Sequence, residues 1–143
     1  MIVEKCDSKI LLELLTRVDA LFSVPLSDKQ DLEDLSKKFS LFGTVCAVIK
    51  NGKILSLVAG YTNNVINNMA YISVVVTLPE EQGKGYAKQL LNEFIEIARK
   101  KGLTAVHLYS SPVALRMYIK MGFEKYFPPN ETRPNDLHLV FWL

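Results

Sequence analysis

Two glycines, Gly83 and Gly85, lie close together just before a long stretch with the hydrophobic spacing of an amphipathic helix. The first backbone N–H groups of a helix have no partner within that helix, and the helix dipole places positive charge there. Because glycine lacks a Cβ, a ligand can approach these amides closely, and Lys84 adds a positive charge beside them. The segment is therefore predicted to bind a phosphate or pyrophosphate group.

Two common phosphate-binding motifs do not match these letters. A P-loop requires a glycine where Leu78 stands and a serine or threonine where Gly85 stands, so that interpretation fails. A Rossmann fingerprint requires a third glycine where Lys88 stands, and it follows a first strand rather than a hairpin. A dinucleotide-binding domain stays as an alternative, which tight NAD binding without CoA binding would support.

A third pattern matches at every position. Gln82-x-x-Gly85-x-Ala87 resembles the acetyl-CoA pyrophosphate-binding motif, Gln/Arg-x-x-Gly-x-Gly/Ala, of the GCN5-related N-acetyltransferases, the GNAT family. Residues 111–123 resemble that family's Asn-x-x-Ala-x-x-Phe/Leu-Tyr-x-Lys-x-Gly-Phe segment, with Ser111 at the asparagine position. The resemblance covers essentially the whole chain. It implies an α+β fold with a mixed, mostly antiparallel sheet of six or seven strands, about four helices and splayed central strands.

The resemblance also implies which residues bind acetyl-CoA as co-substrate. Backbone groups of Val75, Val76 and Thr77 are expected to pair with the pantetheine arm as a further strand would, and a bulge there to aim one N–H at the thioester carbonyl. Strands 70–78 and 104–109 are expected to splay apart and admit the cofactor. Ser111, shorter than asparagine, is a further expected contact. The residues expected to hold the pyrophosphate are Gln82, Gly83, Lys84, Gly85, Tyr86 and Ala87.

The implied reaction is acetyl transfer by direct attack of an amine on the thioester. Negative charge builds on the carbonyl oxygen, where a fixed backbone donor lowers the barrier by roughly 3 kcal/mol. A thiol has a pKa of about 8.5 and a tyrosine about 10, so Tyr118 is predicted to protonate the departing thiolate. The alternative is that Tyr118 is a core aromatic on the helix face shared by Ala114 and Met121.

The general base is left open by the sequence. Residues 67–78 contain no Asp, Glu or His, which excludes direct carboxylate catalysis from that strand. His107 in the next strand is one candidate base, and a water relay past Tyr71 and Ser73 is another; each is alternatively an ordinary strand residue. The missing carboxylate, together with Ser111, supports a second hypothesis: a catalytically silent module that binds acyl-CoA and acts as a regulator.

Hydrophobic spacing predicts the elements that position these residues. Helices are predicted over 8–22, 31–39, 87–100 and 111–121, and strands over 45–50, 53–59, 69–78, 105–109 and 137–143. A strand is also expected before the first helix. The Asn51-Gly52 turn predicts a hairpin, and the strand 69–78 is predicted to be buried on both faces. This order predicts an α+β domain on one mixed sheet.

The composition favours a single globular domain over residues 1–143, with 49% hydrophobic and 22% charged residues. A net charge of +2 without a dense basic run gives no argument for a nucleic-acid partner. There is no apolar run of membrane-spanning length and no signal-peptide block, so a cytoplasmic protein without a membrane partner is expected. Cys6 and Cys46 are predicted to be buried thiols, and no metal site is expected.

The acceptor is expected to be a small-molecule or peptide amine. The resemblance implies that residues 22–38 form one wall of its site, although a helix-capping turn is the alternative there. The loop 127–135 either borders the same site or only links two strands. Within the first segment, the residues offering contact are Phe22, Pro25, Leu26, Asp28 and Asp31. The strand 137–143 either completes the sheet or pairs across a homodimer as an edge strand.

Overall fold

A computed structural model describes residues 6–22 and 24–143. The elements are α1 (Ser8–Val18), α2 (Leu32–Phe42), β1 (Thr44–Lys50), β2 (Lys53–Tyr61), β3 (Met69–Thr77), α3 (Tyr86–Lys100), β4 (Ala105–Ser110), α4 (Leu115–Met121), β5 (Glu124–Lys125) and β6 (Leu137–Trp142). The strand expected before α1 would fall on residues 1–5, which lie outside the described residues. The predicted elements from α1 onward are all present, with shifted ends.

The described strands form one six-stranded sheet in the order β1-β2-β3-β4-β6-β5. β3 and β4 form a parallel pair, and the other neighbours are antiparallel. The parallel pairing covers only residues 69–71 of β3 and 105–107 of β4, after which the two strands separate. The mixed, mostly antiparallel sheet and its splayed central strands are therefore confirmed.

Helices cover both faces of the sheet. On one face, Leu90, Phe94 and Tyr118 from α3 and α4 are buried in a core with Val58 and Leu139. On the other face, a second core holds Leu11, Leu15, Phe39, Leu57 and Val74 from α1, α2 and the sheet. The sheet is thus the middle layer of three, as expected when each helix buries one apolar stripe against a strand surface.

A bulge interrupts β3 at Ser73. Ala59 of β2 lies opposite Val74, but Gly60 lies opposite Ile72, so Ser73 is an extra residue. The bulge was expected at residues 75–77, and the structure places it earlier in the strand. The prediction that β3 is buried on both faces is wrong at Ser73, whose side chain is exposed because the bulge leaves it unpaired.

Side chains cap the starts of α1 and α2, and a glycine turn ends α3. Asp7 accepts a hydrogen bond from the Lys9 amide at 2.7 Å at the start of α1. After α3, Gly102 has a φ of +73°, and the Leu103 amide donates to the Ala98 carbonyl at 3.2 Å, an arrangement known as a Schellman motif. Three predicted helix boundaries were wrong: α1 ends at Val18 because a 3-10 turn replaces its last residues, α2 continues to Phe42 instead of ending at residue 39, and α4 begins at Leu115 because residues 112–114 form a separate turn.

The last strand completes the sheet. β6 pairs with β4 along its whole length and with β5 at residues 139 and 140. Of the two interpretations of this segment, the structure shows the one within a single sheet, and a homodimer stays a prediction. Both cysteines are buried thiols, as predicted, and burial raises the pKa of Cys6 to about 11. None of the helices in the described ranges has the length and apolar character needed to cross a membrane.

Candidate active site

The loop of residues 82–87 presents free backbone amides at the start of α3. Gly83 and Gly85 both have a φ of +82°, and a Cβ added to either would meet nothing within 4 Å. The Gln82 amide donates to the Pro79 carbonyl at 3.4 Å, and the next amide along the chain that bonds a backbone carbonyl is that of Gln89, which donates to Gly85 at 3.1 Å. The amides of residues 83–88 have no acceptor among the described residues, so they are available to an anion.

Two side chains of this loop are engaged by the protein itself. The Gln82 side-chain amide donates to the Thr77 carbonyl at 3.3 Å, which ties the loop to the end of β3. The Lys84 ammonium forms an ion pair with Glu81, and this hydrogen bond raises the pKa of Lys84. Backbone amides rather than these two side chains are therefore the principal free donors of the loop.

A gap opens beside the loop, between the separated halves of β3 and β4. Val75, Val76 and Thr77 pair with β2 along one edge of β3. Along the other edge, pairing with β4 has already ended at Tyr71. The outer backbone edge of residues 75–77 therefore faces the gap, where an extended ligand can pair with it as a strand would.

Tyr118 lies in the core beneath this part of the sheet, with 4% of its surface exposed. Its ring packs edge-on against Phe123, with centroids 5.4 Å apart. Burial raises the pKa of Tyr118 to about 12, which keeps the proton on the oxygen at neutral pH. The hydroxyl bonds no described residue, and it is not among the fully enclosed polar atoms, so it retains access to a ligand.

Ser111 lies on the far side of the gap, at the end of β4. Its hydroxyl oxygen accepts a hydrogen bond from the Ala114 amide at 3.2 Å, so it caps the turn that leads into α4. The side chain is exposed, and its own proton is free to donate. The helix α4 itself starts later, with Ala114 rather than Ser111 at its N-cap position.

A shallow cavity of about 340 Å³ lies between the start of α3 and α4. Its lining side chains include Lys88, Arg116 and Lys120, and no acidic residue lines it. These three cations can hold a phosphate group. Sequence analysis missed this cavity, although a signal was present: Arg116 and Lys120 are four residues apart on α4, which places them on one helix face.

A larger cavity of about 800 Å³ lies beside the C-terminal end of α2. The connection between β2 and β3 and the loop after β5 form its sides. Its base consists of aromatic and imidazole side chains from three neighbouring strands, which are Tyr71, His107, Tyr109 and His138. The cavity therefore borders the point where β3 and β4 begin to separate.

Of the two segments considered for the acceptor site, the loop 127–135 contributes more residues to the lining of this larger cavity than the segment 22–38 does. Of the described residues between 22 and 38, Lys38 lines it. Asp31 instead caps α2 by accepting from the Asp34 amide at 3.1 Å, and Ser27 bonds the Asp19 carboxylate, so the capping interpretation holds for this turn. The loop 127–135 does line the cavity, through Pro128 and residues 130–133.

A chain of hydrogen bonds runs through the base of the larger cavity. His107 Nδ1 lies 2.8 Å from His138 Nε2, and His138 Nδ1 lies 2.6 Å from Glu131 Oε1. The Tyr109 hydroxyl donates to the other Glu131 oxygen at 2.7 Å, and the Arg133 amide donates to that same oxygen at 3.2 Å. Side chains of β4, β6 and the loop between β5 and β6 thus form one connected network.

The ionisation states of this network follow from burial and hydrogen bonding. The Tyr109 hydrogen bond holds the pKa of Glu131 at about 2, with smaller contributions from the Arg133 amide and His138. Burial and, to a smaller extent, the neighbouring His138 lower the pKa of His107 to about 4, against an opposing effect of Glu131. Burial raises the pKa of Tyr71 as well. At neutral pH the network holds an ionised carboxylate and a neutral His107.

Comparison with known proteins agrees with this architecture. The chain matches the model of the acetyltransferase (GNAT) family over residues 11–123. A GNAT acetyltransferase from Staphylococcus aureus Mu50 superposes with a TM-score of 0.79 at 16% identity, covering 100% of this chain and 98% of that one. The PaiA N-acetyltransferase of Thermoplasma acidophilum, solved in complex with coenzyme A, gives a TM-score of 0.74 at 18% identity with coverage of 100% and 98%.

The N-acetylglutamate synthase of Neisseria gonorrhoeae, complexed with coenzyme A and N-acetyl-glutamate, gives a TM-score of 0.76 at 17% identity. This chain is covered over 100% of its length and that chain over 35%. A search among curated proteins finds no match. The protein belongs to the GNAT family of acetyltransferases. The dinucleotide-binding alternative is wrong, because Gly83 and Gly85 follow an antiparallel meander in a sheet with one parallel pair among its described strands.

Proposed function

We propose that this protein transfers the acetyl group of acetyl-CoA to a small-molecule or peptide amine by direct attack on the thioester. The observation that carries the proposal is the gap between β3 and β4, which ends beside the free amides of residues 83–88. The Gln82 hydrogen bond to Thr77 keeps the loop and the gap adjacent. One extended molecule with a phosphate-rich end and an acyl end fits this pair of features.

The residues that would hold acetyl-CoA carry three different kinds of group. The free amides of residues 83–88 would bind the pyrophosphate, and the outer edge of Val75, Val76 and Thr77 would pair with the pantetheine arm. Ser111 would donate its hydroxyl proton across the gap. The cations Lys88, Arg116 and Lys120 would bind the remaining phosphate of CoA. Acetyl-CoA supplies, when bound, a thioester activated for acyl transfer.

The residues proposed for the chemistry are a backbone amide of β3 and Tyr118. A fixed amide near the bulge would stabilise the charge that develops on the carbonyl oxygen, which is worth about 3 kcal/mol. Tyr118 would donate its proton to the departing sulfur; burial raises the pKa of Tyr118 to about 12, so the group carries this proton across the neutral range. Tyr118 would therefore have both of the roles considered for it: its ring packs in the core, and its hydroxyl acts as the acid.

The amine is proposed to enter the larger cavity. Lys38 and Arg133 bring positive charge to its lining, and the lining carboxylate, Glu131, is already bonded to Tyr109 and His138. A cavity with this balance favours an acceptor with a single amine over a polycation, because a second positive charge would find no free carboxylate there.

The second candidate function is a regulator that binds acyl-CoA without turnover. The observation that favours it is the absence of Asp, Glu and His from residues 67–78. Release of the CoA thiol, measured with a panel of mono-amines, amino acids, amino sugars and peptides, separates the two functions. Amine-dependent thiol release with an acetylated product supports the enzyme. Acetyl-CoA binding without thiol release across the panel supports the regulator and contradicts the enzyme.

A further inference from the structure

The side chains that border the acceptor cavity include a carboxylate and two imidazoles in an unbroken line. Glu131 comes from the loop after β5, His138 from β6 and His107 from β4. The two contacts that join them, at 2.6 Å and 2.8 Å, are within hydrogen-bond distance. The line ends at the cavity, because the His107 ring also contributes to its lining.

The ionised carboxylate sets the position of each proton along this line. Glu131 can only accept a hydrogen bond, so His138 must carry its proton on Nδ1. When the His138 ring carries this one proton only, its Nε2 accepts a hydrogen bond from His107 Nδ1. The remaining atom, His107 Nε2, is left with a free lone pair.

His107 Nε2 is available to a ligand. The atom bonds no described residue, and no described polar side-chain atom is both enclosed and unpaired, so Nε2 retains access to the cavity. The charged and titratable groups that face the His107 ring come from three strands and the loop, and they are Tyr71, Tyr109, Glu131, Arg133 and His138. Burial keeps the ring neutral at pH 7.

The geometry points to His107 as the general base of acetyl transfer, with His138 and Glu131 as positioning residues that fix its tautomer. The inference rests on the proposed function. The amine nitrogen forms a bond to the acetyl carbonyl carbon, and its proton passes to His107 Nε2. The carbon–sulfur bond breaks with its electron pair on sulfur, which takes a proton from Tyr118. Water returns a proton to Tyr118 and removes one from His107, so the products are the N-acetyl amine and the free thiol of CoA.

The tautomers can be tested without any enzymatic activity. The chain contains two histidines, so ¹⁵N-histidine labelling of the full chain gives signals from two imidazoles, and His107→Asn assigns them. We expect both rings at pH 7 to carry a proton on Nδ1 and none on Nε2. In Glu131→Gln this pattern should be lost from His138. A proton on His107 Nε2, or a doubly protonated His138, would overturn the proposal.

Kinetics test the role of the base. His107→Ala should lower kcat by about 10²-fold with little change in the KM for acetyl-CoA, and added imidazole should restore part of the rate. His107→Asn keeps most of the side-chain volume and should lose a similar factor. Glu131→Gln should lose about 10-fold or more, because the tautomer is no longer fixed. Glu33→Gln, an exposed carboxylate on α2, is the matched control and should keep the full rate.

The two proposals fail in different ways. If the wild type transfers acetyl groups and both His107 variants keep its rate, the base is another group and only this inference is overturned. If acetyl-CoA binds but no amine is acetylated, the proposed function is overturned, and so is the role of His107 as general base. If the loop does not bind acetyl-CoA at all, the NMR pattern still reports whether the Glu131–His138–His107 line exists.

Discussion

The Tyr118 hydroxyl combines an apolar surrounding with a free proton, and both properties matter for an acid that acts on a departing thiolate. Tyr118→Phe removes the proton and keeps the ring that packs against Phe123. We expect kcat to fall by about 10²-fold, while the KM for acetyl-CoA and the melting temperature change little. Steady-state kinetics with thiol detection and a thermal melt measure both. An unchanged kcat would leave Tyr118 as a core aromatic only.

The pH dependence of that rate has a definite sign. The acid is present below the pKa of Tyr118, which burial raises to about 12, and is lost above it. Between pH 6 and pH 9 the wild-type rate should therefore show no decline caused by Tyr118. A fall in kcat as the pH rises from 8 to 9, absent from Tyr118→Phe, would contradict the raised pKa.

Glu131, which lines the larger cavity, should make the stability of the fold depend on pH in the acid range. Its pKa of about 2 in the folded protein lies below the value of about 4.3 for an unfolded chain. A depressed pKa means that its stabilising contribution is fully present above about pH 4.3 and is lost as the pH falls towards 2. Glu131→Gln should therefore be less stable than the wild type at pH 7, by a margin that shrinks at pH 3. Urea unfolding at both pH values measures this, and an unchanged margin would contradict it.

At the scale of elements, Gly60 allows the bulge at Ser73. A Cβ on Gly60 would lie 2.0 Å from the Tyr71 carbonyl oxygen, so β2 and β3 could not keep their spacing. We expect Gly60→Ala to lower the free energy of unfolding by about 3 kcal/mol, measured in urea. Gly52→Ala is the control. That glycine also has a positive φ but open space around it, so only about 1 kcal/mol should be lost. Equal losses would contradict the steric argument.

The shallow cavity between α3 and α4, lined by Lys88, Arg116 and Lys120, is expected to distinguish CoA from dephospho-CoA. The double variant Arg116→Gln with Lys120→Gln should weaken acetyl-CoA binding by about 10-fold, because charge-assisted hydrogen bonds to a phosphate are lost. Calorimetric titration at two salt concentrations measures this, with Lys125→Gln on β5 as the control. Dephospho-CoA should bind the wild type and the double variant equally well. If the double variant also bound dephospho-CoA about tenfold more weakly, Arg116 and Lys120 would contact another part of the ligand.

Local features of the fold were predictable because they depend on neighbours in sequence. The Gln82–Ala87 loop and the Gly102 turn follow from dihedral preferences and helix ends, which a few adjacent residues determine. The bulge was displaced to Ser73 because its position depends on the register against Gly60, which lies on another strand. The start of α4 was missed because the Ser111 hydroxyl closes a turn first.

At the scale of the whole molecule, the acceptor cavity is where sequence reasoning reached its limit. His107 and His138 are 31 residues apart, and Tyr109 and Glu131 are 22 apart, so only the finished sheet brings these pairs together. His107 was identified as a candidate by itself, but its partners could not be found from spacing. The end of α2 lines the cavity through Lys38, Leu41 and Phe42. This position could not be predicted from the sequence either, because the direction of a helix depends on how it packs against the rest of the fold.

The central claim is that the loop 82–87 and the adjoining gap bind acetyl-CoA. A thermal melt of the full chain tests it most directly, with acetyl-CoA or CoA at about one hundred times the dissociation constant and with NAD at the same concentration. Such a ligand adds about 2.7 kcal/mol of stability, a rise of at least about 5 °C for a chain of this size. Both CoA species should raise the melting temperature and NAD should not.

Gly85→Val and Gly52→Val make the test specific, because both glycines have positive φ and open surroundings but only Gly85 lies in the loop. The rise with acetyl-CoA should disappear in Gly85→Val and persist in Gly52→Val. A wild type that melts at the same temperature with and without either CoA species would contradict the account, as would a Gly85→Val variant that keeps the full rise.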